Sequence, residues 1–297
     1  MTTTKTFTYS HTIGFLTAVG RGFTNPVDLA FNSQGVIYVL NRAGPETTVR
    51  LPSKRVSMCT IDEEFLGEWG TGGQGDGEFW WPSSIAIDSQ DRVYIADESL
   101  KRVSIFDKDG KFLSQWGVKG SADGQLEYPS SIAFDADDNL WLTDSGNHRV
   151  LKFTQDGQLL SAWGQQGSGP GQFQGPWGLA LTDGGDVYIS DWGNDRIQHC
   201  SADGALIEEF AGLSEGDAIH RPAGLSVDGE GNIYVADWGN ERVQVFGPGG
   251  EFLLKLRGEA TVSKWAAEFF EANPDEKRER DVSNLLPDLP SHLQTPY

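Results

Sequence analysis

The chain has 297 residues, 38% of them hydrophobic and 11% aromatic, which is enough for a sizeable globular core. Its 23 Lys and Arg stand against 43 Asp and Glu, a net charge of -20, and no basic cluster precedes the C-terminal tail. Nucleic acid is therefore a disfavoured partner, because sequence-independent affinity for phosphate comes from Lys and Arg displacing counterions.

The same charge reads as a solubilising acidic surface, or as one that attracts a cation or a basic partner. The opening MTTTKTFTYS has no apolar signal segment, and no stretch approaches the ~18 apolar residues of a membrane span, so the cytoplasm is the default expectation.

Residues 1–23 precede the first full unit of a repeat. From residue 24 one succession recurs: a proline, an apolar run (PSSIAID), an alternating run (RVYIAD), a third run (RVSIFD), an Asp-Gly turn (DKDG) and a last run (KFLSQWG). Period-2 runs joined by Gly, Asp and Asn turns predict four short antiparallel strands per unit. The units are 24–70, 71–117, 118–164, 165–212 and 213–258. Their last runs carry Trp69, Trp116, Trp163, Phe210 and Leu256, spaced 47, 47, 47 and 46 residues apart. The opening prolines Pro82, Pro129, Pro176 and Pro222 keep the same step, whereas Pro26 to Pro82 is 56, the excess lying in NRAGPETTVRLPSKR between Asn41 and Arg55.

A four-stranded repeat of roughly 40 to 50 residues predicts an all-β propeller, in which each blade buries its faces against its neighbours. Within the ring, Cys59 and Cys200 hold equivalent places three units apart, well beyond the ~7 Å Cα separation that a disulfide allows.

The N-terminal stretch KTFTYSHTIGFLTAVG matches the last two strands of a unit, with Phe15 and Leu16 on Phe112 and Leu113 and Gly20 on Gly117. That predicts circular closure of a sixth blade whose first two strands come from the other end. Residues 259–297 do not supply them. TVSKWAAEFFEAN reads as a helix from its Ser/Thr start and its spacing of Trp265, Phe269 and Phe270, PDEKRERD as a second charged helix, and VSNLLPDLPSHLQTPY as an extended Pro-rich tail. Either the sequence stops short of the natural gene, the favoured expectation, or the helices and tail plug the gap. An open ring leaves exposed strand edges and predicts self-association through the incomplete sixth blade.

The combination of P-x-G/S-I/L-A, VYIAD, GN-H/D/E-R-V and F..DG.FL..WG resembles the NHL repeat, over residues 7 to 258. Asn147 and His148 stand at the place of the family's Asn-His. WD40 repeats carry a Trp-Asp dipeptide that is absent here, and the paired glycines of kelch repeats are not seen. The resemblance implies a six-bladed propeller. It extends distantly to peptidyl-hydroxyglycine amidating lyase and to gluconolactonase-like propellers.

Four units carry an Asp at the end of the second strand and an Arg five residues on: Asp97/Arg102, Asp144/Arg149, Asp191/Arg196 and Asp237/Arg242. These pairs are expected to tie the turn between strands two and three by charge-assisted bonds. His148 is replaced by Lys101, Asp195 and Glu241 in the other units, so no shared catalytic role rests on it.

Function on such a ring is expected where the loops entering the inner strands meet those after the second strands. The candidate ligand-binding residues at these places are Trp81, Tyr128, Trp177, Trp192 and Trp238, with Arg42 and Arg221 as polar handles. Aromatic surfaces of this kind bind apolar, sugar-like or cationic ligands, or anchor a protein partner. Trp192 and Trp238 can equally pack over their own Gly-Asn turns.

The lyase resemblance implies zinc held by His in Pro-His motifs opening inner strands, yet Ser83, Ser130, Trp177 and Ala223 follow the prolines here. Arg42 matches an arginine of that enzyme and can hold a carboxylate or cap a turn. The lactonase resemblance implies a divalent cation such as calcium, for which Asp28 and Glu98 are the only acidic candidates at these places; among the histidines, the channel-entry His220 is the one weak candidate for a metal. No nucleophile elbow, phosphate loop or Cys-x-x-Cys occurs. The leading expectation is a non-catalytic recognition or scaffold propeller binding a small molecule or protein. The alternative is a metal-dependent lyase or hydrolase with its site at the channel mouth.

Overall fold

The computed structural model describes residues 10, 12–14, 20–42, 54–211, 218–256, 263–275 and 277–278. They form an all-β propeller. Blade 1 consists of β1 (Pro26–Phe31), β2 (Ile37–Asn41), β3 (Arg55–Cys59) and β4 (Phe65–Trp69), paired in that order. The same antiparallel meander recurs in blades 2 to 5, at 82–116, 129–163, 176–210 and 222–256. The inner strands of consecutive blades pack on one another in chain order. No helix among the described residues is long and apolar enough to cross a membrane.

Alternation along the strands builds the core. In β2, Tyr38 and Leu40 face blade 2 together with Val56, Phe79 and Ile85, while Ile37 and Val39 point to the opposite face. The outer-strand tryptophans lock each blade to the next. Trp69, Trp116 and Trp163 lie against Gly110, Gly157 and Gly204 of the following blade, where a Cβ would run into the indole. These glycines have φ of 84°, 84° and 87°, so both the close approach and the backbone demand glycine.

The expected carboxylate ties hold in blades 3, 4 and 5, where Asp144, Asp191 and Asp237 accept from Arg149, Arg196 and Arg242 at 3.3, 2.9 and 2.7 Å. Blade 2 differs. Its turn is ESLK, and Asp97 accepts from the backbone N–H groups of Ser99 and Leu100 as well as from those of Trp80 and Trp81. Arg102 turns away to the carbonyls of Gln74, Gly75 and Glu78. Without an Asn side chain in the turn, the backbone takes the carboxylate.

The residue after each of these turns adopts a left-handed conformation (Lys101, His148, Asp195 and Glu241, φ 52° to 56°). From there the first three reach the loop entering the next blade. Lys101 Nζ sits over the Tyr128 ring at 3.3 Å, His148 Nδ1 accepts from Gly175 N, and Asp195 accepts from Arg221 N. The variable position of the repeat is thus a latch between blades.

Blade 1 lacks a preceding blade among the described residues. Its Leu29 and Phe31 are 52% and 57% exposed, whereas Ile85, Ile132 and Leu179, equivalent to Leu29, are 3–4% exposed. The C-terminal helix α1 (Lys264–Ala272), expected from its apolar spacing, covers the outer part of this free face. Its Trp265 is buried among Ile37, Val39, Cys59, Phe23 and Phe65. The closing strands expected at 5–20 fall largely outside the described residues, as do the insertion at 43–53 and the Pro-rich tail. Only parts of the second charged helix, 274–275 and 277–278, are described, and they are helical.

Candidate functional site

Each inner strand is bulged just after its opening proline, with register shifts at Pro26/Asp28, Pro82/Ser84, Pro129/Ser131, Pro176/Leu179 and Pro222/Leu225. The extra residue of a bulge turns side chains out of the ladder and into the channel. A cavity of 470 Å³ results, walled by Asp28, Ser84, Ser131 and Trp177 from four blades. It extends to Tyr234, Ala236 and Val243 of blade 5. A second space of 150 Å³ lies at the mouth, bounded by Arg42, Trp177, Trp192, Ala223 and Trp238. Arg42 and Trp177 border both.

Four of the seven sequence-derived ligand-binding candidates therefore share one small space. Arg42 comes from the end of β2, Trp177 from the bulge of blade 4, and Trp192 and Trp238 from one-turn 3₁₀ segments, Trp192–Asn194 and Trp238–Asn240. The Gly of each Gly-Asn turn is covered by the loop entering its own blade. A Cβ on Gly146, Gly193 or Gly239 would strike Tyr128, Gln174 or His220. Trp192 and Trp238 are thereby left to line the mouth.

The remaining candidates are engaged nearby. Trp81 carries the Arg42 guanidinium 4.6 Å above its ring, Arg221 lies 4.9 Å over Trp192, and the exposed Tyr128 receives Lys101.

The acidic candidates do not converge. Glu98 pairs with Arg42 at 3.9 Å, and burial pushes its carboxyl above the usual range, partly offset by Arg42 and Lys101. Asp28 ties blade 1 to blade 2, accepting from Ser84 Oγ at 2.6 Å and from Ile85 N at 2.9 Å. Ser84 Oγ repeats the device one blade on, accepting from Ile132 N. His220 lies at the surface, with Nδ1 3.1 Å from Asp195. Among the described residues no three His, Cys, Asp or Glu come together to hold a metal ion. The donor set does not fit a zinc or calcium centre, each of which needs at least three such ligands or more oxygens.

Desolvation raises the Asp28 carboxyl above its ordinary 3.8, with the hydrogen bonds from Ser84, Ile85 and Leu29 opposing it. A raised carboxylate contributes stability that is complete below the unfolded value and is lost as pH rises through the folded one. Asp28→Asn, which can still accept from Ser84 and Ile85, is expected to gain melting temperature relative to the wild type as pH goes from about 4 to 7. Thermal melts across that range test this, and a variant whose deficit grows with pH would reverse the assignment.

The family model for the NHL repeat matches residues 126–153, 173–200 and 220–246, which run from the loop entering blades 3, 4 and 5 through their third strands. No curated protein sequence matches the chain. Among solved structures, a chain of a nidogen/laminin complex aligns with a TM-score of 0.59 at 17% identity, covering 80% of this chain and 82% of that one. A gluconolactonase from Xanthomonas campestris aligns with a TM-score of 0.56 at 21% identity, covering 81% and 78%. A catalytically inactive virginiamycin B lyase from Staphylococcus aureus, with quinupristin, aligns with a TM-score of 0.53 at 15% identity, covering 77% and 83%. At such identities the likeness is one of fold.

Proposed function

From the premise that this chain is a β-propeller carrying NHL repeats, we propose that it is a non-catalytic recognition module holding a small ligand at its channel mouth. One observation carries the reading: Arg42, Trp177, Trp192 and Trp238, drawn from blades 1, 4 and 5, bound a single 150 Å³ space that adjoins the larger cavity. A space of about 150 Å³ takes one aromatic ring. The Ser-lined cavity beyond it offers hydroxyls, and a total of several hundred Å³ is the ordinary size of a small-molecule site. Three indoles favour a flat apolar body. Arg42, held on Trp81, favours a ligand whose polar group is anionic, because a guanidinium matches a carboxylate with two parallel bonds.

The alternative of a metal-dependent lyase or hydrolase has no converging ligand set behind it among the described residues. Binding of monocyclic aromatic carboxylates, with benzoate as first probe, tests the reading by saturation-transfer NMR and quenching of Trp fluorescence. Trp177→Ala is expected to weaken binding about tenfold or more, ~1.4 kcal/mol, with the fold kept. Equal affinity in the variant, or no binding by the wild type, would remove Trp177 or the ligand class from the site.

A further inference from the structure

We propose that α1 is the clasp of the ring, a helix standing where the outer strand of a preceding blade would lock blade 1, and able to release from it as a unit. The register is the first ground. Trp69 meets Phe79 at 6.2 Å and Trp163 meets Phe173 at 6.0 Å, each across a blade junction. Trp265 meets Phe23, the equivalent of Phe79 and Phe173 in the loop entering blade 1, at 6.0 Å. Trp163 packs against the cluster that holds Cys200, and Trp265 belongs to the cluster that holds Cys59, which stands at the same place in the third strand.

The second ground is residue 63. Blades 2 to 5 have Gly110, Gly157, Gly204 and Gly250 at the fourth position of the outer turn, each with its N–H bonded to the first residue of the turn. Blade 1 has Glu63 there, bonded in the same way to Thr60 and at φ 62°. A charged side chain in a conformation that favours glycine needs a reason, and α1 supplies it. The Glu63 carboxylate accepts from the backbone N–H groups of Lys264 and Trp265 at 2.9 and 3.1 Å, its carbonyl accepts from the Trp265 indole N–H, and Ser263 Oγ caps Ala266 N at 3.1 Å. A carboxylate on unpaired N–H groups at a helix start is favourable by charge and by dipole.

The helix is one short unit resting on blade 1 and on the segment entering it, where Arg21 pairs with Glu268 at 2.6 Å, and it is reached from Leu256 of blade 5 through seven residues. Such an element opens at a lower cost than the blades. It also bears on the mouth. Ile37 and Val39, which carry Trp265, alternate along β2, and Arg42 is the next residue after that strand. The clasp therefore positions Arg42, a consequence that rests on the proposed ligand site at the mouth.

Cys59 reports the clasp directly. It is buried in the same cluster as Trp265, and burial pushes its thiol to about 11; Cys200, pushed to about 12 by burial, lies in the third strand of blade 4 and serves as the internal control. Maleimide labelling of the native full-length chain at pH 8, resolved by peptide mass mapping, is expected to modify Cys59 at least tenfold faster than Cys200.

Glu63→Gln is expected to speed Cys59 labelling about threefold to tenfold, and Glu63→Gly more, although Gly suits φ 62° better; Cys200 should stay unchanged in both. Equal rates at the two thiols, or Cys59 labelling indifferent to both substitutions, would overturn the clasp. Should Glu63→Gly fail to fold, as judged by circular dichroism, Glu63→Gln decides alone. Weaker benzoate binding in the Glu63 variants supports the link to Arg42. Wild-type protein that labels as expected but binds no benzoate defeats the ligand reading and leaves the clasp standing.

Discussion

Asp191→Ala is expected to cost about 3–5 kcal/mol, because the substitution removes one partner of a buried ion pair. Asp191 is fully buried and accepts from Gln174 N at 2.7 Å, Asn194 Nδ2 at 2.8 Å, Arg196 Nε at 2.9 Å and Gln198 Nε2 at 3.2 Å. Three of these donors keep another acceptor: Asn194 Nδ2 has the Gly167 carbonyl, Gln198 Nε2 the Gln172 carbonyl, and Arg196 the Gly169 and Gln172 carbonyls together with the half-exposed Glu209 at 2.8 Å. Equilibrium urea denaturation at pH 7 measures the loss. Asp97→Ala is the internal comparison. Asp97 accepts backbone N–H groups and leaves Arg102 to its own carbonyl partners, so about 1–3 kcal/mol is expected there, the desolvation cost of unpaired amides. Equal losses at the two sites would mean that the broken pair with Arg196 is not what makes Asp191 costly.

Trp265→Ala carries the next largest effect. A buried Trp truncated to Ala ordinarily costs about 3–5 kcal/mol in lost burial and residual cavity. Here the indole also satisfies the Glu63 carbonyl, and its removal exposes Ile37 and Val39 on the face that no other blade covers among the described residues. The expected result is a melting temperature lower by about 10 °C, with a shift to larger species on gel filtration as the apolar face seeks another molecule. Trp265→Phe, which keeps most of the apolar area and loses the N–H, should retain more than half of the stability. A Trp265→Ala protein that melts and elutes with the wild type would show that α1 contributes nothing to closure.

Much of this architecture can be read from the residues in order. The 47-residue step, the Asp-Gly turns and the Gly-Asn turns each specify interactions within one blade, and a meander satisfies its backbone bonds between neighbours in the chain. The aromatic mouth is half legible. Trp177 stands out where other units have Ser or Ala, but nothing local says that Trp192 and Trp238 face the channel rather than their own turns. That outcome depends on Gln174 and His220 already covering Gly193 and Gly239.

Asp28 resembles a metal ligand in the sequence because its partner, Ser84, lies one blade away and 56 residues on. Local spacing pairs Arg102 with Asp97, and it fails there because the ESLK turn offers its own N–H groups to the carboxylate. The clasp left one trace in the sequence, Glu63 where four other units have Gly, and that trace has no meaning without its partner 201 residues away.

By itself, then, the sequence determined the blade, its count of strands and the repeat that stacks blades into a ring, because those features rest on periodicity and on turns a few residues long. The tertiary structure alone decided which variable residues meet. Arg42 joins three tryptophans from blades 4 and 5, and Trp265 fills a slot on blade 1. Both are contacts across the ring, set by how closure superposes the chain's distant parts, and no local spacing encodes them.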